Sequence, residues 1–413
     1  MNLRPLGRLL LALPIAAVSV VPVFGQAEHH HHEDTPPAEP AWTWSWGANV
    51  FAGWNYQLRK FRDFDAIESQ NWLMGAGERK LGPGRVRFHS MLSLEPFTIE
   101  ALGSPEVFQT GETYAKVPLI DYQHPHDLFM DLGGTWEKQT GTGHAFVEVD
   151  AVGAPALGPP PFMHRASAQE NPTAPLSHHQ LDSTHITHGV ITAGITAGRF
   201  RVESSLFRGA EPDENRKDIE MGKLDSWSGR AWFTPTPNWT MQFSYGHLVD
   251  PEVATPGNLN RLTASISHNH SWRDGNWAST LIWGRNDERH GTSNSYLLES
   301  TANFLDKNYV YTRMELVDKT GLLEENIFGR PGIEPLPLIG NGGESGEHFE
   351  QMFRIGAVTI GGVRDILVQP KFRVGIGADV TFYHVPEALK PIYGSSPTSF
   401  HLFVRIRPEK MSH

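Results

Sequence analysis

The chain of 413 residues contains no cysteine. Disulfides are therefore excluded, and so is a lipid anchor on an N-terminal cysteine. Long hydrophobic runs are almost as scarce. Beyond residue 27 no stretch of about 18 apolar residues occurs, which excludes a membrane-spanning helix. Positive charge is short as well. Thirty-five Lys and Arg face 46 Asp and Glu, for a formal net charge of -11, which disfavours nucleic acid as a partner. Heptads, a recurring repeat, and the GxGxxG, P-loop, HExxH and GxSxG patterns are all missing.

The one long apolar run stands at the start. Arg4 and Arg8 precede Leu9 to Phe24, and Gly25-Gln26-Ala27 fits a small-x-small cleavage site. Residues 1–27 therefore read as a secretory signal peptide cleaved after Ala27. Its removal takes two arginines and no acids, moving the net charge from -11 to -13. Residues 28–40, with four consecutive histidines and several prolines, read as a disordered His-rich segment. Residues 41–413 read as one domain.

What that domain has in abundance is alternation. In AWTWSWGANVFAGWNYQ (41–57), Trp42, Trp44, Trp46, Ala48, Val50, Ala52, Trp54 and Tyr56 share one face, with aromatics at both ends. Successive strand side chains point to opposite faces, so this is a strand with an aromatic girdle at each membrane interface. Similar runs stand near 67–79, 85–95, 128–138, 144–152, 184–197, 199–208, 226–234, 239–248, 260–272, 277–285, 294–304, 308–317, 351–361, 371–383 and 399–407. With the first, they make sixteen. Their apolar faces carry residues such as Phe88, Val202, Met241 and Phe382. Their opposite faces carry charges of both signs, among them Asp150, Glu203, Arg313 and Arg405.

The connections sort by length. LGPG, TGTG, a lone Gly198, PTPN, RDGN and LDK are short and have turn composition. Between them lie longer ones at 58–66, 96–127, 153–183, 209–225, 249–259, 286–293, 318–350 and 384–398. The segment 362–370 breaks the rhythm, being moderately long where a short turn is due. Alternating long and short connections are what an up-and-down barrel in a membrane requires, with short periplasmic turns and long extracellular loops. The expected fold is thus all-β, a transmembrane antiparallel barrel of about sixteen strands. This layout resembles Gram-negative outer-membrane β-barrels and is similar to the sixteen-stranded porins. The resemblance covers about 41–407 and implies an outer-membrane location, contact with membrane lipid, passage of small solutes and a homotrimer. It departs from the porins in running past Phe403 and Ile406 into RPEKMSH, and no functional residue is carried over from it.

Histidine is the other excess. Eight of the 21 histidines fall between 124 and 188. HPHD (124–127) and HHQLDSTH (178–185) each adjoin a long loop at the outer end. Neutral imidazole is the commonest ligand of Cu, Zn and Ni. His124, His126, Asp127, His178, His179, Asp182 and His185 are therefore the candidate metal ligands of an outer rim. The competing reading makes these histidines structural, packing a plug against the wall. His188 falls on the lipid side of this register. The 153–183 loop, with six prolines, Leu157, Phe162 and Met163, either folds into the lumen or caps it from outside. Two further functions stay open. Asp182, Ser183 and His185 have the residue types of an outer-membrane hydrolase, phospholipase- or deacylase-like. Residues 183 and 185 of a strand, however, stand about 7 Å apart, too far for a nucleophile–base hydrogen bond. A plugged barrel with a purely structural role is the other.

Overall fold

In the computed structural model, which describes residues 41–115, 117–289, 291–323 and 351–409, the alternating runs become one closed antiparallel barrel of sixteen strands. We number them in chain order. They are β1 (Thr43–Arg59), β2 in two pieces (Arg62–Glu68 and Asn71–Leu81), β3 (Gly84–Leu92) and β4 (Phe129–Thr140). Then come β5 (Gly143–Gly153), β6 (Thr187–Ala197), β7 (Phe200–Phe207) and β8 (Ser226–Thr236). The second half holds β9 (Trp239–Leu248), β10 (Leu259–Trp272), β11 (Gly275–Glu288) and β12 (Gly291–Phe304). β13 (Asn308–Lys319), β14 (Phe353–Val368), β15 (Phe372–His384) and β16 (Thr398–Pro408) complete it. Each strand pairs with the next, and β16 closes on β1 with Ala52 opposite Val404. The proposed signal peptide and the His-rich segment, residues 1–40, lie outside the described residues, as does most of the 318–350 connection.

Strand period two sorts the residues as a membrane requires. Trp44, Phe88, Val202, Phe243, Leu281 and Phe382 face outward. Glu203, Glu299, Arg313, Asp379 and Arg405 face inward and are buried. A closed barrel leaves no unpaired strand edge, and its apolar exterior can meet hydrocarbon, so the chain spans a Gram-negative outer membrane as a barrel. Tight turns close one end. The β6–β7 turn is possible because Gly198 takes the left-handed conformation, φ 57°.

Three expected connections turn out shorter than the sequence suggested. β1 and β2 extend until only Lys60 and Phe61 separate them, so 58–66 is a hairpin rather than a loop. β11 and β12 likewise run on through 286–288 and from 291. β14 continues to Val368, which turns 362–370 from an irregular exception into a short turn. In each case the strands keep pairing across the hairpin beyond the run that alternates cleanly, through residues of mixed or polar character. The run at 67–79 is a strand broken at 69–70: its first piece pairs with the outer half of β1 and its second with the inner half.

The 153–183 loop folds inward. Its prolines hold it extended while lumen side chains take its backbone groups. The Ala156 amide donates to Ser205 Oγ (2.7 Å), the Gly158 amide donates to Ser244 Oγ (2.9 Å), and Arg230 donates to Gly158 O (2.8 Å). Ser167 meets Thr280, Arg313 donates to the Thr173 and Ala174 carbonyls, and Arg407 donates to Glu170. The loop thereby crosses from β7 to β16. The 93–128 loop enters beside it: Asn55 donates to Pro105 O, Lys319 donates to Gln109, and Phe108 stacks on Tyr393 at 4.4 Å. Together they form a plug.

Candidate functional site

The plug carries the histidines. His178 and His179 stand on a one-turn helix, His178–Leu181, whose Leu181 packs among Ile282 and Leu297 of the wall. Gly284 gives it room; a side chain there would strike Leu181 and the Gln180 carbonyl. Residues 183–185 form a 3-10 turn and not the start of β6, so His185 stays with the plug. β6 begins at Thr187, and His188, expected toward lipid, is buried and accepts a hydrogen bond from the Glu220 amide (2.9 Å). His188 shares its parity with buried Val190 and Thr192, while Ile191 and Ile195 face outward, so it lies on the lumen face; a register counted from His185, which is not part of the strand, has the opposite phase.

His126, His178 and His185 come together. His178 and His185 have ring centroids 5.2 Å apart, and His126 and His185 are 5.3 Å apart. Each ring has Nδ1 on an acceptor. His126 faces Glu95 Oε2 (2.8 Å), His178 faces Asp182 Oδ1 (2.7 Å), and His185 faces the Asp182 carbonyl (2.8 Å). These acceptors require the proton on Nδ1, so each Nε2 is left to act as a ligand or acceptor. Burial, then repulsion from His178 and His126, pushes His185 well below 6.5. Burial also lowers His178. At His126 burial is outweighed by Glu95, and its pKa is raised.

The other candidates are placed elsewhere. His179 lies between Glu112 (2.9 Å) and Glu252 (3.2 Å), and His124 reaches Glu112 from the far side (3.2 Å). Burial alone would raise Glu112, but the charges of His124 and His179 bring it down to about 2. His179 is raised well above 6.5, its burial outweighed by Glu252 and Glu112. Burial and Arg216 hold His124 down to about 4. His179 also lines an outer cleft with Thr110, Glu252, Asp318 and Lys319. Asp127 pairs with Arg216 (3.2 Å) and faces His188 (3.5 Å), away from the three clustered rings. Asp182 joins His178 to Arg165 (2.5 Å), and Arg165 continues to Glu299 on β12 (2.7 Å). Ser183 accepts from Arg261 (3.0 Å) while His185 Nδ1 takes a backbone carbonyl, so Ser183 and His185 are not paired as nucleophile and base.

The seven candidates thus divide into a neutral, Nε2-presenting group (His178 and His185, with His126 beside them), His179 charged between two glutamates with a neutral His124 across Glu112, and two acids that hold side chains in place (Asp182, Asp127). Sequence reasoning missed Glu95, Glu112, Glu211, Glu252 and Arg165. All five stand in connections, where no periodicity marks which acids turn inward. Among the described residues, three sets already hold ligand atoms within 4.8 Å of one another: His89–Glu148–Asp150, His179–Glu211–Glu252 and Asp213–Asp218–Glu220.

No protein-family model matches the chain, and no curated protein matches it in sequence. Among solved structures it is similar to an anion-selective porin from Comamonas acidovorans, with 11% identity and a TM-score of 0.48 over 89% of this chain and 100% of that one. It is also similar to outer-membrane-expressed OmpT of Vibrio cholerae, with 9% identity and a TM-score of 0.46 over 91% and 100%. A Rhodopseudomonas blastica porin triple mutant follows at 10% identity and a TM-score of 0.41 over 88% and 100%.

Proposed function

We propose that this outer-membrane barrel is a plugged, porin-like protein that handles a divalent transition-metal ion, Cu, Zn or Ni, through plug histidines. The signal peptide of residues 1–27 would deliver it, and three copies would assemble as in the porin layout. The observation that carries the reading is the shared orientation of His126, His178 and His185: three neighbouring rings, each with Nδ1 on an oxygen acceptor. Metal-bound histidines characteristically give their second N–H to a carboxylate or carbonyl. The rings stand near one another rather than at ligand spacing, so binding requires small rotations of the rings. His179, on the same helical turn as His178 and 5.8 Å from it, opens to the outer cleft and would be the first imidazole an entering ion meets.

Calorimetric titration with Cu²⁺, Zn²⁺ and Ni²⁺ tests this. The protein should lack residues 28–34, whose four histidines bind such ions wherever they are placed. It is compared with the same protein carrying His126→Ala, His178→Ala and His185→Ala. Binding should be lost in the variant. It should also weaken as pH falls, first through His126 whose pKa is raised, because protonated imidazole is no ligand, and binding should release a proton from His126. Binding no tighter than about 1 mM, near 4 kcal/mol, would sink the metal reading.

A further inference from the structure

Outside the plug, β3, β4 and β5 place His89, Asp131, Glu148 and Asp150 on one patch of the lumen wall. His89 and Asp150 both stand opposite Gly133 in the register. Their chain neighbours Phe88, Leu132 and Val149 face lipid, so period two turns all four inward. One ligand atom each from His89, Glu148 and Asp150 lies within 4.8 Å of the others.

Three observations mark this patch as a ligand site rather than an ordinary ionic cluster. The first is charge. Several buried lumen acids meet arginines: Glu203 meets Arg201 and Arg230, Glu299 meets Arg165 and Arg313, and Asp365 meets Arg373 and Arg405; Asp379, without one, is satisfied by His401 and Tyr311. Among the described residues, no Lys or Arg forms an ion pair with Asp131, Glu148 or Asp150. The second is Asp150 itself. It is 3% exposed, yet neither carboxylate oxygen accepts a hydrogen bond from a side chain. The third is His89. Its Nδ1 is 2.6 Å from Asp131 Oδ2, which takes the Nδ1 proton, so in the neutral ring Nε2 is the free lone pair. That Nε2 is buried, makes no hydrogen bond, and faces Asp150 Oδ1 across 3.7 Å. A lone pair facing a carboxylate repels it, so this gap holds either a second ring proton or a metal cation.

We propose that His89, Glu148 and Asp150 bind a divalent first-row transition-metal ion, with Asp131 orienting His89 through Nδ1. Bonds of about 2.0–2.2 Å on each side span the His89–Asp150 gap through a bent angle without backbone movement. Thr135 fixes Glu148 by donating to Oε2 (2.7 Å). Gly133 and Gly153 leave space for Asp150, since a Cβ at either would collide with its carboxylate. One imidazole with two carboxylates is a mixed nitrogen–oxygen set, suited to Zn²⁺, Mn²⁺ or Fe²⁺ rather than to a thiophilic ion. The site is built from wall strands alone and does not depend on the plug histidines.

Cobalt(II) is the probe, because its visible absorption reports coordination. The full chain, Asp150→Asn, Glu148→Gln and the His126→Ala/His178→Ala/His185→Ala variant are titrated. Barrel closure in each is checked by heat-modifiable gel migration. The His-tail contribution is common to all four and cancels in the differences. Expected is a cobalt spectrum that persists in the triple-His variant. Asp150→Asn should weaken it by at least about 100-fold, the upper end of what losing an outer-shell partner costs. Glu148→Gln, a gentler change, should weaken it as well and serves if Asp150→Asn fails to close. If folded Asp150→Asn and Glu148→Gln bind cobalt as the parent does, the proposal is overturned, and His89 is then an imidazolium held between Asp131 and Asp150. Loss of binding in the triple-His variant alone would leave the plug reading standing and remove this one.

Discussion

Arg165 shows what single side chains do in this lumen. It is 4% exposed and holds Asp182 of the plug to Glu299 of the wall. Removing one partner of a buried ion pair leaves the others desolvated and unpaired, at a cost of about 3–5 kcal/mol. Arg165→Met should therefore loosen the plug and lower the melting temperature, and Arg165→Lys should recover part of the loss. Equal melting of all three proteins would show that the pairing contributes nothing. His179 gives a pH prediction. Its pKa is raised in the fold, so its stabilisation is complete below its ordinary 6.5 and is lost as pH rises through the raised value. Glu112 is held at about 2, so its stabilisation is present above its ordinary 4.5 and is lost as pH falls toward 2. The two overlap from about pH 4.5 to 6.5. Plug protection from proteolysis should be highest in that window and fall on the alkaline side, and His179→Gln should abolish the alkaline fall.

At the scale of the strand, β9 offers a clean contrast. Met241 is 38% exposed toward lipid, while Gln242 is 4% exposed and hydrogen-bonded to Thr263 (2.9 Å). Met241→Arg places a charge in hydrocarbon, at about 2–4 kcal/mol near the midplane, and should impair assembly. Gln242→Ala removes a hydrogen bond, at about 1 kcal/mol, and should assemble normally. Folding yields into detergent or vesicles would show the ordering, and equal yields would mean that the faces are interchanged. The strands were legible because every second residue must be apolar wherever one face meets lipid. Their outer ends were not. Pairing continues to Arg59 opposite Arg62 and to Glu288 opposite Gly291, through residues whose mixed or polar character hides the period. His188 was misplaced for a different reason: its register was counted from His185, which lies in a turn before the strand begins.

At the scale of the molecule the infolded loops decide behaviour. Ala168, on a loop that could have capped the barrel from outside, is 3% exposed and packs inside. A cysteine at Lys223 should label from outside intact cells with an impermeant reagent, whereas Ala168→Cys and Thr142→Cys should not. Labelling at Thr142 alone would invert the orientation. Labelling at Ala168 would place the plug outside. The plug also predicts low conductance in planar bilayers, rising when 156–182 is replaced by a short Gly-Ser linker.

The sixteen alternating runs and most of their lipid and lumen faces were determined by the sequence, because a bilayer imposes period two on any strand that crosses it. The two histidine-rich segments stood out by composition alone. Which histidines meet, and with what partners, was decided only by the tertiary structure. His126 and His178 lie on different loops, Glu95 reaches His126 from a third position, and Glu112 and Glu252 enclose His179 from connections far apart in the chain. Loops carry no period. Their course is set by where Ser205, Ser244, Arg230 and Arg313 offer hydrogen bonds on the inner wall, and that pattern exists only once the barrel has closed.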